Sequence, residues 1–432
     1  MKNARWLTQL KRVKIRIAQV IVLLQCPVII LVAFLIGARR TLYHQKRRVC
    51  FGGCGIVNLA YWSKALESFG RDSKSIVWRT PSIYPNDTFD FDLYRRYGNF
   101  GYVMAPFHFL LTISKNEIIV CGFDGFILGM TLLKKIEPLV IHLAKCKLIA
   151  IPYGGDAYVY SSIKNESLIH AIQVSYPDAS RKQIEKQKNV NRMVRHADFV
   201  IPGIMGFDGI GRWDVLAVSS LAINTELWQS LNEQHHSRKL RVIHTPNHRG
   251  FKGTEFLIAA VNELQSEGVS IELQLIENRP NSEVREILAK HCDVLVEQLV
   301  CPGYGMSAVE GLSSGVVVVS NLGDERIMVP FRRWSFLSEC PIISASPETI
   351  KEILRNLSKD REFRQRASVA SREYAQKYHS YDAFYELYSQ IEKYLFGERE
   401  DLYNYYHPLL GEFGNAKKKI QVQLLIRNDD CE

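Results

Sequence analysis

Short apolar runs alternate with helix-like segments along most of the chain. Between residues 48 and 202 the apolar runs are RVCFGGCGI, SKSIVW, NEIIVCGF, KLIAIPYGGDA and DFVIP, separated by helical patterns such as LAYWSKALESFG. A second series after residue 240 contains VSIELQLIEN, DVLVEQL and GVVVVSN as strands, with EFLIAAVNELQSEG and SEVREILAKH as helices. Such alternation predicts doubly wound parallel sheets with helices on both faces. The expected fold class is therefore α/β, with two Rossmann-like domains.

Changes in composition along the chain predict its division into segments. The predicted segments are a basic-flanked membrane segment at 1–47, a first Rossmann-like domain at 48–225, a polar linker at 226–239, a second Rossmann-like domain at 240–380, a helix at 381–396 and a tail at 397–432. The tail is aromatic and charged without clear periodicity, and it carries no functional prediction.

The first segment contains an apolar stretch, IAQVIVLLQCPVIILVAFLIGA, from Ile17 to Ala38. It reaches the roughly 20 residues that a helix needs to cross a bilayer. Basic residues flank both ends almost equally, so the positive-inside rule does not orient the stretch. Two arrangements remain open, a single membrane helix or a hairpin that bends at Gln25-Cys26-Pro27. In either arrangement we expect membrane lipids as partners, with the globular domains in the cytoplasm and the basic flanks on anionic headgroups.

The positions of the charged residues along the chain indicate which kinds of partner the protein can bind. The formal net charge is +10, but residues 1–50 hold eleven of the 55 Lys and Arg and no Asp or Glu. The remaining residues therefore carry 44 basic and 45 acidic side chains, a net of −1, and no nucleic-acid partner is expected. Nine scattered cysteines without a CxxC pair favour reduced thiols. Cys50 and Cys54 flank a turn, but two ligands do not make a metal site, so no metal is expected.

Two stretches of the second domain combine a strand, a glycine-bearing turn and a helix. They are RVIHTPNHRGFKGTEFLIAAV, from residue 241, and CPGYGMSAVEGLSSGVVVVSNLGDE, from residue 301. A helix start after such a turn can bind phosphate, because its N–H groups are unpaired and its dipole end is positive. Lys252 either shares that anion or is a solvated loop lysine. Glu310 shares a polar helix face with Ser307 and Ser314, and it either accepts hydrogen bonds from a ribose or is a surface glutamate.

The segment HTPNHRGFKGTE, followed by GYGMSAVEGLSSGVVVV, resembles the donor half of GT-B glycosyltransferases, most closely the retaining family-4 group. The resemblance covers roughly residues 48–388, and it implies two domains facing a cleft, with the helix at 381–396 crossing back onto the first. It implies that a basic pair holds the donor diphosphate and that a Glu-x7-Glu motif holds the sugar and the ribose. Lys252 and Glu310 match this pattern. Pro302 replaces the first glutamate, and Arg249 lies only three residues before the lysine.

Candidate site residues follow from these patterns and from the resemblance. In the second domain, the expected catalytic residues are Glu310, Lys252 and Arg249, and the expected donor contacts are the turn residues Gly303, Tyr304 and Gly305 with Ser307. In the first domain, Gly53 and Gly55 lie in the turn after the first strand, which in GT-B relatives faces the donor phosphates. A tight turn that requires a positive φ explains these two glycines equally well.

Polar residues at the ends of later strands in the first domain are candidate acceptor or cleft residues, because the carboxyl ends of parallel strands line the ligand cleft. They are Asp124 in GFDG and Tyr153 and Asp156 in PYGGDA. Tyr153 stands where related sequences often have a histidine. Asp156 has a competing structural role as the acceptor for its own turn.

These features predict a membrane-associated glycosyltransferase that uses a nucleotide-diphosphate sugar as co-substrate and needs no cofactor or metal. The expected acceptor is a lipid-linked sugar or a polysaccharide or other glycan, and the resemblance implies retention of the anomeric configuration. Three alternatives remain open. They are a non-catalytic scaffold that binds a nucleotide sugar, a sugar-nucleotide epimerase and a phosphorylase.

Overall fold

The computed structural model describes residues 2–43, 47–203, 207–217, 221–228 and 239–422. By its internal contacts the chain forms two units, Met1–Asp156 with Lys188–Val200, and Ala157–Gln187 with Ile201–Glu432. Residues 157–187 thus pack with the second unit, and the predicted domain boundary at residue 225 stays a prediction. Most of the predicted linker, residues 229–238, and the end of the tail, residues 423–432, lie outside the described residues.

The first unit contains a six-stranded parallel sheet in the order β3-β2-β1-β4-β5-β6. Its strands are β1 (Val49–Gly53), β2 (Ser73–Val77), β3 (Phe91–Asp92), β4 (Ile118–Cys121), β5 (Lys147–Ala150) and β6 (Phe199–Val200). This order is that of a doubly wound sheet, with its change of direction between β1 and β4. The prediction of a Rossmann-like α/β fold is confirmed here.

Helices connect these strands and cover the sheet. They are α1 (Lys2–Leu24), α2 (Cys26–Leu42), α3 (Val57–Ser68), α4 (Leu93–Tyr97), α5 (Gly101–Lys115) and α6 (Glu137–Leu143). The helix α3 connects β1 to β2, whereas α5 and α6 lead to β4 and β5 in the opposite direction across the sheet. Because such crossovers are right-handed, α3 covers one face of the sheet, and α5 and α6 cover the other.

The N-terminal apolar stretch is one continuous helix, Val13–Leu42, long and apolar enough to cross a membrane by length and composition. Gln25, between α1 and α2, has helical angles (φ −76°, ψ −14°), and the Ile29 N–H donates to the Gln25 carbonyl at 3.0 Å. Pro27 stands at the start of α2, where it costs no helical hydrogen bond. Of the two arrangements left open by the sequence, the hairpin at Gln25-Cys26-Pro27 is therefore wrong, because proline here does not break the helix.

The second unit contains a five-stranded parallel sheet in the order β11-β10-β9-β7-β8. Its strands are β7 (Leu240–His244), β8 (Ile271–Leu275), β9 (Val294–Pro302), β10 (Val317–Asn321) and β11 (Ile343–Ser344). The pairing of β9 with β10 is regular up to Val319 and then shifts, so that Ser320 pairs with Gln298 and Asn321 with Pro302. The end of β9 therefore bulges at the edge of the sheet from which the loops emerge.

The helices of the second unit and of the segment that joins the units follow in chain order. They are α7 (Glu166–Ser175), α8 (Pro177–Arg181), α9 (Gln183–His196), α10 (Arg249–Lys252), α11 (Thr254–Ser266), α12 (Asn281–His291), α13 (Met306–Ser313), α14 (Glu325–Trp334), α15 (Ile350–Lys359), α16 (Arg361–Tyr378), α17 (Tyr381–Leu395) and α18 (Glu412–Ala416).

The described part of the tail belongs to the core of the second unit. Tyr405, Tyr406 and Phe413 are buried, and Tyr406 packs edge-on against Phe336 with ring centroids 4.9 Å apart. Phe336 also stacks on Tyr378 of α16 at 4.2 Å. The aromatic residues that gave no periodic pattern in the sequence therefore form a packed cluster beside α16.

Candidate functional site

A buried polar cluster lies where α10, β9, β10 and α13 meet in the second unit. Lys252 is the last residue of α10, and its side chain turns inward, leaving the residue only 8% exposed. Its Nζ donates to the carboxylate of Glu297 and, at 3.0 Å, to Oε1 of Gln298. Both acceptors lie in β9 and are buried. The alternative of a solvated loop lysine is therefore wrong.

Glu297 is the centre of this cluster. Its carboxylate also accepts from the Ser307 hydroxyl at 3.0 Å and from the Ser320 hydroxyl at 3.2 Å. A Cβ on Gly305 would lie 3.4 Å from Oε1 of Glu297, so the glycine turn passes close to the same carboxylate. One buried acid thus connects α10, β10 and the first turn of α13. Such a charge is stable in the interior only when it is paired and hydrogen-bonded, and here it is both.

Glu310 occupies a separate buried position on α13. Its Oε1 accepts from Nδ2 of Asn281, the first residue of α12, at 2.8 Å. Burial raises the pKa of Glu310 to about 7, although the Asn281 hydrogen bond opposes the shift. The surface-glutamate alternative is wrong. Ser314, grouped with Glu310 on one face from spacing, donates instead to the Glu310 carbonyl at 2.9 Å.

Arg249 lies outside the buried cluster. Its guanidinium donates to both carboxylate oxygens of Glu277, at 3.0 and 3.1 Å, and to Glu255 at 2.7 Å. The arginine is therefore held on the surface by two acids. Arg249 and Lys252, the two cations predicted to bind the diphosphate, therefore contact different carboxylates in the described part of the chain.

The glycine turn before α13 is only partly free to bind an anion. The Gly303 N–H donates to the Asn321 carbonyl at 2.7 Å, and Gly303 has a φ of +95°. The Tyr304 ring is buried, and its hydroxyl lies 2.9 Å from the Tyr374 hydroxyl and 3.1 Å from Nε2 of His379. Gly305 is the N-cap residue before α13, and no side chain caps the start of this helix. The N–H of Gly303 and the side chain of Tyr304 thus have structural partners, whereas the start of α13 keeps the uncapped geometry that suits an anion.

His244 and His248 follow β7 but do not share one environment. The His244 ring is fully buried between the Val296 carbonyl (2.7 Å) and the Thr254 hydroxyl (2.8 Å), and burial lowers its pKa to about 4. It is a neutral structural histidine. The His248 ring packs against Tyr176, with centroids 4.3 Å apart.

The glycine turn after β1 in the first unit is packed against neighbouring backbone. Gly53 has a φ of +108°, and a Cβ there would lie 2.5 Å from the carbonyl oxygen of Gly125. At Gly55 a Cβ would lie 2.3 Å from the carbonyl oxygen of Arg79. Close backbone approach therefore accounts for both glycines without a ligand.

Asp156, Tyr153 and Asp124 come together at the carboxyl ends of β4 and β5. Asp156 is fully buried and accepts from the N–H groups of Phe123 (2.8 Å) and Tyr153 (2.9 Å), so it organises two loops. The Tyr153 hydroxyl donates to Oδ2 of Asp124 at 2.7 Å. Burial, reinforced by the neighbouring carboxylates, raises the pKa of Tyr153, which stays a neutral donor. Tyr153 also lines a small pocket with the exposed Cys54.

Sequence inspection missed several residues that organise these sites. Glu297 and Gln298 were taken only as part of an apolar strand, and their signal was an acid–amide pair inside the run VLVEQL. Glu137 was missed as well. It is buried, accepts from the Phe126 N–H at 2.8 Å, and burial raises its pKa to about 7. Among the residues that the structure describes, no group of three or more His, Cys, Asp or Glu is placed to hold a metal ion.

Comparison with solved structures identifies the fold of the chain. Sucrose-phosphate synthase from Thermosynechococcus elongatus matches 82% of this chain and 100% of its own, with a TM-score of 0.54 and 10% sequence identity. The chain has the GT-B fold. The predicted fold is confirmed, whereas membership of the family-4 group stays a prediction.

Other GT-B structures match less closely. MnaA of S. aureus, solved with UDP, covers 83% of this chain and 99% of its own at 13% identity, with a TM-score of 0.46. The wall teichoic acid polymerase TagF covers 85% and 94% at 12% identity, with a TM-score of 0.39. No protein-family model and no curated protein sequence matches this chain.

Proposed function

We propose that this protein is a glycosyltransferase that moves a sugar from a nucleotide-diphosphate donor to a lipid-linked or glycan acceptor at a membrane. The observation that carries the proposal is the buried cluster in which Lys252 contacts Glu297 and Gln298 beside the uncapped start of α13. Sucrose-phosphate synthase, which shares the fold, is consistent with this reaction class.

Lys252 is the cation proposed to meet the donor diphosphate. An ammonium has three N–H donors, and in the described part of the chain Glu297 and Gln298 accept from Lys252. A further donor remains for a phosphate oxygen. The N–H groups and dipole of α13 add positive potential at the adjacent turn. Negative charge grows on the diphosphate as the glycosidic bond breaks, and these fixed groups stabilise it.

Glu310 is proposed to accept hydrogen bonds from the ribose hydroxyls. Two donors from a ribose favour its ionised form, which burial alone disfavours at neutral pH. Arg249 is assigned a secondary role, because it must exchange Glu277 or Glu255 for the diphosphate before it contributes.

The transfer needs no metal ion or other cofactor, and it retains the anomeric configuration. The globular units act in the cytoplasm, and the apolar helix Val13–Leu42 holds them at the acceptor. Tyr153 and Asp124 are the first-unit groups proposed to contact the acceptor.

Transfer of radiolabel from a panel of nucleotide sugars to membrane extracts tests the proposal. The Glu310→Gln variant and the Lys252→Met/Glu297→Gln pair, which leaves no unpaired buried charge, should each lose about 100-fold or more in rate. The matched control is Lys290→Met, an exposed lysine paired with Glu286. EDTA should leave the rate unchanged. Full activity in both site variants would contradict the proposal.

A nucleotide-sugar-binding scaffold is the second candidate. It is favoured by the carboxylate already paired with Lys252 and by Pro302 in place of the first motif glutamate. Donor binding measured by calorimetry without transfer to any acceptor would identify the scaffold. Conversion of the sugar nucleotide without added acceptor would instead identify an epimerase.

A further inference from the structure

The N-terminal helix is docked lengthwise on the first unit. Its buried residues Val22, Ile29, Ala33 and Gly37 are spaced by seven, four and four, which places them on one stripe of the helix. Between them, Nε2 of Gln25 donates to the Val103 carbonyl of α5 at 3.4 Å. The helix contacts α5, α6 and the turn at Leu132–Lys135.

The C-terminal end of this helix is fixed by close contacts. The Arg40 guanidinium donates to the carbonyls of Ile113 (2.6 Å) and Asn116 (2.7 Å) at the end of α5 and to that of Ala144 (2.8 Å) after α6. A Cβ on Gly37 would lie 2.2 Å from the Leu143 carbonyl oxygen, so only glycine permits this approach. An arginine that binds three carbonyls forms a specific attachment between the helix and the globular unit.

Most of the helix surface that does not pack against the first unit is apolar and exposed. Exposed apolar residues on neighbouring elements of the first unit extend this surface. The exposed apolar residues of the helix are Val13, Ile15, Ile17, Val20, Ile21, Leu23, Leu24, Val28, Ile30, Leu31, Phe34 and Leu35. On the elements against which the helix packs, Phe107, Leu111, Leu132 and Leu139 are also exposed. A continuous apolar surface of this extent on a soluble protein marks an interaction site.

The charge around this surface matches an anionic lipid leaflet. Exposed basic side chains border it at Lys14, Arg16, Arg39 and Lys135. No acidic residue precedes Glu67 in the chain, and α5 contains none. Basic residues near an anionic membrane surface are attracted to its headgroups and strengthen binding.

The docking excludes a bilayer crossing by the helix as it is packed. The docked part from Val22 to Arg40 is about 27 Å long at 1.5 Å per residue, close to the roughly 30 Å of hydrocarbon that a span must cross. A crossing would draw α5 and α6, with the exposed side chains of Lys115, Lys135 and Lys145, into the hydrocarbon beside it. Transfer of those charged groups from water into hydrocarbon is strongly unfavourable.

We propose that the helix lies within one leaflet of an anionic membrane, and that Phe107, Leu111, Leu132 and Leu139 of the globular unit enter the same leaflet. Both ends of the helix then stay on the side of the globular units. This membrane-binding surface contains none of the residues assigned to sugar transfer. A negative result in the membrane tests would therefore leave the proposed transferase activity untouched, and a negative transfer assay would leave the membrane proposal untouched.

The position of the N-terminus tests the proposal directly. The full chain with an N-terminal epitope tag is bound from outside to sealed vesicles of phosphatidylcholine and phosphatidylglycerol, and protease is then added. Digestion of the tag to the same extent as in detergent is expected. A tag that survives until detergent opens the vesicles would show a crossing and overturn the proposal.

An environment-sensitive fluorophore tests the contribution of the globular unit. In a background with Cys26, Cys54 and Cys431 replaced by serine, Phe107→Cys carries the label, and Phe69→Cys is the matched control. Phe107 and Phe69 are 56% and 39% exposed, but Phe69 follows α3 on the opposite face of the sheet. Vesicles should raise the emission at position 107 several-fold and leave position 69 unchanged.

An equal rise in emission at positions 107 and 69, or no rise at position 107, would overturn the proposal that the globular unit enters the leaflet together with the helix. Binding should also fall at least tenfold when phosphatidylcholine replaces the anionic lipid. Equal binding to both vesicle types would overturn the anionic specificity.

Discussion

At the residue scale, burial determines the behaviour of Glu310. The folded protein raises the pKa of its carboxyl from 4.5 to about 7, and desolvation is the main cause. The folded chain therefore holds a proton that the unfolded chain has released between these pH values. The free energy of unfolding falls as pH rises from 4.5 to 7 and is then lower by a constant amount.

The Glu310→Gln variant should be more stable than the natural protein at pH 8, by up to about 3 kcal/mol. The neutral amide has no charge to desolvate, and its oxygen can still accept from Asn281. Thermal unfolding at pH 8 and at pH 4.5 measures the effect, and little gain is expected at the lower pH. Glu286→Gln, an exposed control, should show no such dependence. A gain that is equal at both pH values would contradict ionisation as its cause.

Lys252 and Glu297 should be strongly coupled in stability. Replacing Lys252 by Met alone leaves a buried carboxylate without its cation, which costs about 3–5 kcal/mol. Adding Glu297→Gln removes that charge and should recover most of the loss. Denaturant unfolding of the two single variants and the double variant measures the coupling. Additive losses would show that the two groups do not interact in the folded protein.

At the element scale, the turn after β1 depends on backbone packing. Gly53→Ala places a methyl group 2.5 Å from the Gly125 carbonyl oxygen at a φ of +108°, so a loss of about 2 kcal/mol or more is expected. Gly70→Ala is the matched control, because Gly70 also has a positive φ (+74°) but a Cβ there meets open space. Urea unfolding compares the two. Equal losses would mean that φ alone, and not the approach of the Gly125 loop, requires glycine at position 53.

The N-terminal helix shows why elements were easier to predict than their contacts. Composition identified an apolar helix correctly, because hydropathy is a local property. Its docking depends on Gly37 and Arg40, whose partners lie about a hundred residues later at Leu143 and Ala144. A pattern within the helix contains no information on those partners. The symmetric basic flanks left a hairpin open beside a single helix, and the continuous helix excludes the hairpin.

At the scale of the whole molecule, alternating apolar runs predicted both parallel sheets because each strand and helix leaves a periodic signal. The candidate site was predictable only in part. Glu310 was predicted from its spacing and Lys252 from its place at a helix start, but Glu297, which binds Lys252 from β9, looked like an ordinary strand position. The contact between the Tyr304 hydroxyl and Tyr374, seventy residues later, was not predicted either, and the donor role of the turn at Tyr304 stays a prediction. Long-range pairing of buried polar groups decided the site, and single-sequence patterns do not encode it.

The donor should bind the second unit first, and hydrogen exchange across the whole chain can locate it. A nucleoside diphosphate should slow amide exchange in residues 248–253 and 303–308, which surround Lys252 and the start of α13. When its free concentration is a hundred times its dissociation constant, the nucleoside diphosphate should raise the free energy of unfolding by about 2.7 kcal/mol. The free nucleoside is the control and should have little effect, because the phosphates carry the proposed contacts. Protection confined to residues 122–129 of the first unit would place the nucleotide beside Tyr153 and would contradict the role assigned to Lys252.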